Sequence, residues 1–195
     1  MFDFEFHIAH EVDNPTHIFF YKPINIGVNT LKVKILDNFD IDFDKSYQLY
    51  LNMGGSNFSF ITKPLKKSSN NEVELLVQES RIELRKYPRI KTEDLNIKVF
   101  VRTLEGILAD ISLGGCKVKF NSPITSSFFE KGAKTKLSMA IPGIENLVDL
   151  SAYIVNVNPK EHAVSFAFET KDNKVLTAYK TISDLLKGKG KEILS

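Results

Sequence analysis

Four arginines stand in this chain against twenty-two lysines, and all four fall between positions 81 and 102. Three of them, Arg81, Arg85 and Arg89, are spaced four residues apart. Elsewhere surface charge is met by lysine, so the choice of arginine carries information. A guanidinium makes two parallel hydrogen bonds to a phosphate or to the O6/N7 edge of a guanine, and its face stacks on a ring. The cluster therefore fits an anionic ligand with a guanine-like edge. A plainer reading stands beside it: arginines at i, i+4 and i+8 line one solvated face of a helix. That helical reading covers only 81–86, because Pro88 removes a backbone donor and pushes Tyr87 out of the αR region. The segment from Arg85 to Arg89 is then predicted to be extended or turning, and the two arginines need not share a face.

A second group lies about twenty residues downstream, at Asp110-Ile111-Ser112-Leu113-Gly114-Gly115. It falls between two runs that read as strands, 105–111 and 116–120. Gly114 and Gly115 are expected to supply the positive-φ positions of a tight turn. Asp110 and Ser112, two apart, point to one side of an extended strand. There a carboxylate can accept from the N1–H and N2–H₂ edge of a guanine, and a hydroxyl can donate or accept. The alternative is an ordinary hairpin whose Asp and Ser tie the turn by side-chain to backbone bonds.

Taken together, Arg85-x-x-x-Arg89 followed by Asp110-x-Ser112-x-x-Gly115 resembles the signature of PilZ domains, the bacterial receptors for cyclic di-GMP. The resemblance runs over about 84–188. Gly132, after Phe128-Phe129-Glu130-Lys131, resembles the family's turn glycine. The stretch from Leu137 to Pro142 resembles its L-x-L-x-L-P strand. Ala163-Val164-Ser165-Phe166-Ala167-Phe168 stands where the family shows x-x-G-V-x-F, with Ala163 or Ser165 in place of the glycine. The resemblance implies that Arg85 and Arg89 clamp guanines and phosphates, that Asp110 and Ser112 hold a second guanine, and that Gly114 and Gly115 allow close backbone approach. It also implies a cyclic di-GMP ligand, no further cofactor and no catalysis. Family members with an arginine just before the first motif arginine favour a ligand pair; Leu84 stands there in this chain, which favours one ligand per site and leaves the stoichiometry open.

The frame agrees. The chain has 195 residues, 43% hydrophobic and 26% charged, as in an ordinary globular protein, and a net charge of +2, too small to point to nucleic acid or a membrane. Basic residues outnumber acidic ones seven to three over 81–102, whereas 1–45 holds eight acidic and four basic. The single cysteine, Cys116, excludes an internal disulfide and reads as a buried small hydrophobe. The N-terminus lacks the pattern of a signal peptide, and no run approaches a membrane span, so a cytoplasmic location is expected.

The predicted class is mainly β. Strands are expected at 95–103, 105–112, 115–120, 134–141, 147–157 and 163–169. They suggest a six-stranded antiparallel barrel. A helix at 173–187 comes next, on the stripe Val175, Leu176, Tyr179, Ile182, Leu185 and Leu186, and 187–191 reads as a frayed basic tail. Residues 1–80 read as a small β domain, with strands at 2–8, 17–21, 31–37, 46–51, 57–61 and 72–77 and a loop at 63–71 around Pro64. With 81–92 as a linker and 93–195 as the barrel, the layout is similar to flagellar-brake PilZ proteins. That resemblance implies a receptor whose domains rearrange on binding and signal to a partner protein, in motility or exopolysaccharide machinery. The other readings are a PilZ-fold interaction module that binds no nucleotide, and a small-barrel nucleic-acid binder. His7, His10 and His17 match no common zinc spacing, and Met53-Gly54-Gly55 reads as a hairpin turn. No nucleophile–base pair or paired carboxylate supports an enzyme.

Overall fold

The computed structural model describes residues 6–68, 71–83, 85–125, 127–169 and 173–192, the last four by backbone alone. The chain divides into two compact units, Met1–Pro88 and Arg89–Ser195. Each is built on a closed antiparallel barrel of six strands.

The first barrel comprises β1 (His7–Glu11), β2 (Ile18–Ile26), β3 (Thr30–Ile35), β4 (Tyr47–Met53), β5 (Ser56–Lys67) and β6 (Glu72–Glu83), closed in the order β1-β2-β3-β6-β5-β4. Alternating residues fill its interior: Phe19 and Tyr21, Leu31 and Val33, Tyr47 and Leu49, Val73 and Leu75 are all buried. Gly54 (φ +57°) and Gly55 (φ +83°) turn the β4–β5 hairpin, which is the role read from the sequence for Met53-Gly54-Gly55. Of the strand expected at 2–8, residues 2–5 lie outside the described residues.

Two expectations for this half are corrected. The loop predicted at 63–71 is strand as far as Lys67, and Pro64 stands where the β5–β6 register shifts. At such a bulge the missing N–H of proline removes no ladder bond. The linker expected from Arg81, and the helical reading of 81–86 set beside it, give way to strand at its start: Arg81 pairs with Ser59 and Ile82 with Phe58. Ser59 Oγ donates to Glu83 Oε1 at 2.6 Å, and Arg81 pairs with Glu79, two residues back on the same strand, at 2.8 Å. A long partner strand satisfies this backbone, so the four-residue arginine spacing does not decide its conformation.

The second unit has β7 (Ile90–Lys91), β8 (Lys98–Val101), β9 (Leu104–Ser112), β10 (Gly115–Phe120), β11 (Lys134–Ala140), β12 (Val148–Asn158), β13 (Ala163–Phe168) and α1 (Asn173–Glu192). The order β10-β13-β12-β11-β8-β9 closes through a β9–β10 pairing. β8 and the two-residue β7 pair with different stretches of the same edge of β9. Val99, Val101, Leu108, Val118, Leu137, Ile154 and Phe166 are buried, and Gly132 (φ +86°) turns the chain ahead of β11. α1 packs on β12 and buries Val175, Ala178, Tyr179, Ile182 and Ser183. It continues to Glu192, through the stretch expected to fray. A helical glycine costs about 1 kcal/mol relative to alanine, which weakens a helix without ending it. No described helix is long and apolar enough to cross a membrane.

Candidate functional site

β9 carries the site. It ends at Ser112, pairs through a two-residue loop with Gly115, and sets Ile111 opposite Cys116. Ser112 is buried. Its Oγ donates to the Gly115 carbonyl and accepts from the Gly114 N–H, both at 3.2 Å. The hydroxyl therefore ties the turn, as in the plainer reading of this motif. The expected positive φ is not found: the described positive-φ glycines are Gly54, Gly55, Gly132 and Gly143. Gly115 is required by space instead. A Cβ there would lie 2.1 Å from the Phe166 carbonyl oxygen and 3.1 Å from Ala167 Cα. The close backbone approach is that of β13 onto β10. Gly114 is exposed, and its carbonyl accepts from the Phe168 N–H at 3.0 Å.

Arg89 is brought to Asp110 by its neighbours on the C-terminal side, Ile90 to Thr92. Ile90 is buried and pairs with Ile111, and Lys91 pairs with Asp110. Thr92 fixes the segment twice, with its N–H on the Ala109 carbonyl at 3.0 Å and its Oγ1 on the Leu108 carbonyl at 2.7 Å. The result puts Arg89 Nη1 3.3 Å from Asp110 Oδ1. That oxygen is buried yet accepts no hydrogen bond. The guanidinium is near enough to attract the carboxylate and is not aligned to donate to it. Asp110 also lies directly across the ladder from a lysine on each side, Lys91 on β7 and Lys117 on β10, and neither bonds it. A carboxylate oxygen left without a donor in a cationic setting is a place for N–H groups to dock.

Burial pushes the Cys116 thiol up, well above its ordinary value; the Asp110 charge adds to the rise and Arg89 opposes it. The thiol is a core group with no reactive character.

Arg85 belongs to the first unit and is exposed, in the irregular segment after β6. Lys86 Nζ lies 5.5 Å from the Tyr87 ring centre. Both line a cavity of about 250 Å³ with Phe6, His7, Tyr50 and Asn52. Leu84, on which the ligand count was read, lies outside the described residues. Of the three histidines, His17 bonds Glu11 and His10 bonds the Glu11 carbonyl. Among the described residues no group of three His, Cys, Asp or Glu could hold a metal ion. Sequence reasoning missed Ile90 and Thr92, which position Arg89, and the two lysines flanking Asp110. The alternation of buried Ile90 and Thr92 around exposed Lys91 was the available signal.

The sequence model of the PilZ domain matches residues 83–186. No curated protein matches the chain. Among solved structures, the Bacillus subtilis inhibitor of motility MotI/DgrA is similar over 96% of this chain and 99% of its own, at 14% identity and a TM-score of 0.44. Escherichia coli YcgR in complex with c-di-GMP is similar over 97% of this chain and 87% of its own, at 14% identity and a TM-score of 0.42. The separate PilZ domain of YcgR with c-di-GMP covers 57% of this chain and 98% of its own, at 18% identity and a TM-score of 0.46.

Proposed function

This chain belongs to the PilZ domain family, and from that premise we propose that it is a cyclic di-GMP receptor without catalysis of its own, which signals to a partner protein in the cytoplasm. One observation carries the reading: the buried Asp110 oxygen without a hydrogen bond, 3.3 Å from the Arg89 guanidinium. A guanine supplies what that arrangement lacks. Its N1–H and N2–H₂ edge donates to the carboxylate, while its face or a phosphate takes the arginine fork. Each charge-assisted bond made out of water contributes about 1.5–3 kcal/mol. Arg85 is the second guanidinium of the clamp on the strength of the motif. Ser112, Gly114 and Gly115 act by holding the hairpin that presents Asp110.

Arg85 falls in the first unit and Arg89 in the second. A ligand that engages both arginines restrains one unit against the other, and that differential contact is what a binding-driven rearrangement requires.

Calorimetric titration of cyclic di-GMP into the wild type and into Arg89→Ala tests the reading. The wild type is expected to bind and the variant to lose nearly all affinity. Silence from folded wild type would make the protein a PilZ-fold interaction module instead, and comparable uptake of linear RNA or DNA would make it a nucleic-acid binder.

A further inference from the structure

Lys117 stands directly across the β9–β10 ladder from Asp110. Facing residues of an antiparallel pair have Cβ atoms about 5 Å apart, and opposite charges so placed ordinarily pair. Here they do not. Lys117 Nζ lies 2.6 Å from Glu161 Oε2, on the 3-10 turn Pro159–Glu161 ahead of β13, while Asp110 Oδ1 accepts no hydrogen bond. The hydrogen bond from Lys117 holds the Glu161 carboxyl below its ordinary value. The lysine side chain is 28% exposed and that of Glu161 52%, so the pair is wet and exchangeable. A lysine ammonium is a compact point charge on a flexible stem, suited to meeting a phosphate from more than one direction.

We infer that Lys117 is a further anion contact of the nucleotide site, held off the site by Glu161 until a ligand phosphate draws it away. The inference rests on the reading of that site as a cyclic dinucleotide pocket. It assigns the guanine edge to Asp110 and a phosphate to the lysine across from it. It also gives Glu161, which touches no ligand, a role in setting affinity.

The arrangement predicts opposite signs for the two partners. Lys117→Ala should weaken cyclic di-GMP binding about five- to tenfold and flatten its dependence on salt. Lys117→Arg, which keeps the charge, should stay close to wild type. Glu161→Gln removes the competitor and should tighten binding about two- to fivefold, the scale of an exposed pair. In the double variant Lys117→Ala/Glu161→Gln that gain should vanish, because there is no lysine left to release. Glu161 is exposed and Lys117 half-buried, and unchanged melting temperatures would confirm that the folds are comparable.

Titrations of the full chain with cyclic di-GMP, with Arg89→Ala alongside, separate the two levels. If wild type fails to bind, the pocket reading falls and this inference with it. If wild type binds and Arg89→Ala does not, but Lys117→Ala is unaffected or Glu161→Gln weakens binding, the role of Lys117 alone is overturned.

Discussion

In the first barrel the Glu11 carboxylate, with 11% of its side chain exposed, is held at both oxygens: Oε2 by His17 Nδ1 at 3.0 Å and Oε1 by Lys45 Nζ at 3.1 Å. In the second barrel Asp110, 19% exposed, has an arginine at 3.3 Å and a lysine facing it on each neighbouring strand, and still one oxygen accepts nothing. The settings are alike in burial and in the sign of nearby charge, and they differ in closure. A carboxylate whose acceptors are all engaged contributes to the fold. One left open among cations gives up a hydrogen bond that the fold could have made, and it gains a role only when something else donates. The contrast sets a carboxylate closed by its own fold beside one whose proposed role needs an outside donor.

The largest expected effect concerns the turns that frame these strands. Gly115→Ala would force a Cβ to 2.1 Å from the Phe166 carbonyl. Overpacking against backbone costs about 1–3 kcal/mol and occasionally more, so the second barrel should lose at least that much stability, and ligand binding with it. At Gly55, where a Cβ meets nothing within 4 Å and the constraint is a φ of +83°, the same substitution should cost only about 1 kcal/mol. Chemical denaturation of both variants checks the difference, and equal costs would remove the close-approach argument for Gly115.

Next in size is the acid itself. Asp110→Asn keeps the shape and removes an acceptor. Cyclic di-GMP affinity should fall about 10- to 100-fold, while stability should move by no more than about 0.5 kcal/mol, since no hydrogen bond to Oδ1 is lost. Glu11→Gln should do the reverse: unchanged binding, and a loss of about 1 kcal/mol of stability at neutral pH. Burial works against ionisation of Glu11, but the hydrogen bonds from His17 and Lys45 outweigh it and leave the carboxyl below its ordinary value of 4.5. Its contribution is therefore present above that value and lost as pH falls through the lowered one, so the two stability curves should converge in acid. A destabilised Asp110→Asn that binds normally would reverse the assignment of the two acids.

Much of the second barrel was legible in the sequence. The run 115–120 is β10 as read, because alternation and the flanking turn both mark it. The meeting of Arg89 with Asp110 was not legible from spacing. It depends on β7, two residues long and too short to show a period, docking on the free edge of β9. The facing of Lys117 and Asp110 follows in register from the two-residue loop between Ser112 and Gly115, and only the pairings beyond it, from Val118 on, are displaced by the register shift. In the first barrel the arginine spacing misled at Arg81, because four-residue spacing is compatible with a strand once β5 supplies the partner. The Ser112 hydroxyl ties the hairpin, which was one of the two readings open in the sequence, and Gly115 stands where β13 approaches β10 most closely, a contact between strands distant in sequence.

The smallest expected effect lies next to Glu11. His10 is buried in the first barrel, with Nδ1 on the Glu11 carbonyl at 2.8 Å and Nε2 3.4 Å from the Tyr50 hydroxyl. A carbonyl only accepts, so Nδ1 carries the proton and Nε2 is bare in the neutral ring. Burial lowers the pKa of His10 below its ordinary 6.5, more than the bond to the Glu11 carbonyl raises it. The unfolded chain then binds a proton that the folded barrel refuses, so stability should fall as pH drops below 6.5 and level off once the lowered value is passed. Asparagine at this position can keep the donor to the Glu11 carbonyl and cannot titrate. Hydrogen exchange followed by mass spectrometry should show peptides of β1 and β4 losing protection between pH 7 and 5.5 in the wild type, and less so in His10→Asn. Peptides of β9 and β10 should change little in either protein. If both barrels loosen together in acid, the loss is not local to His10, and the carboxylates must be carrying the acid response of the whole chain.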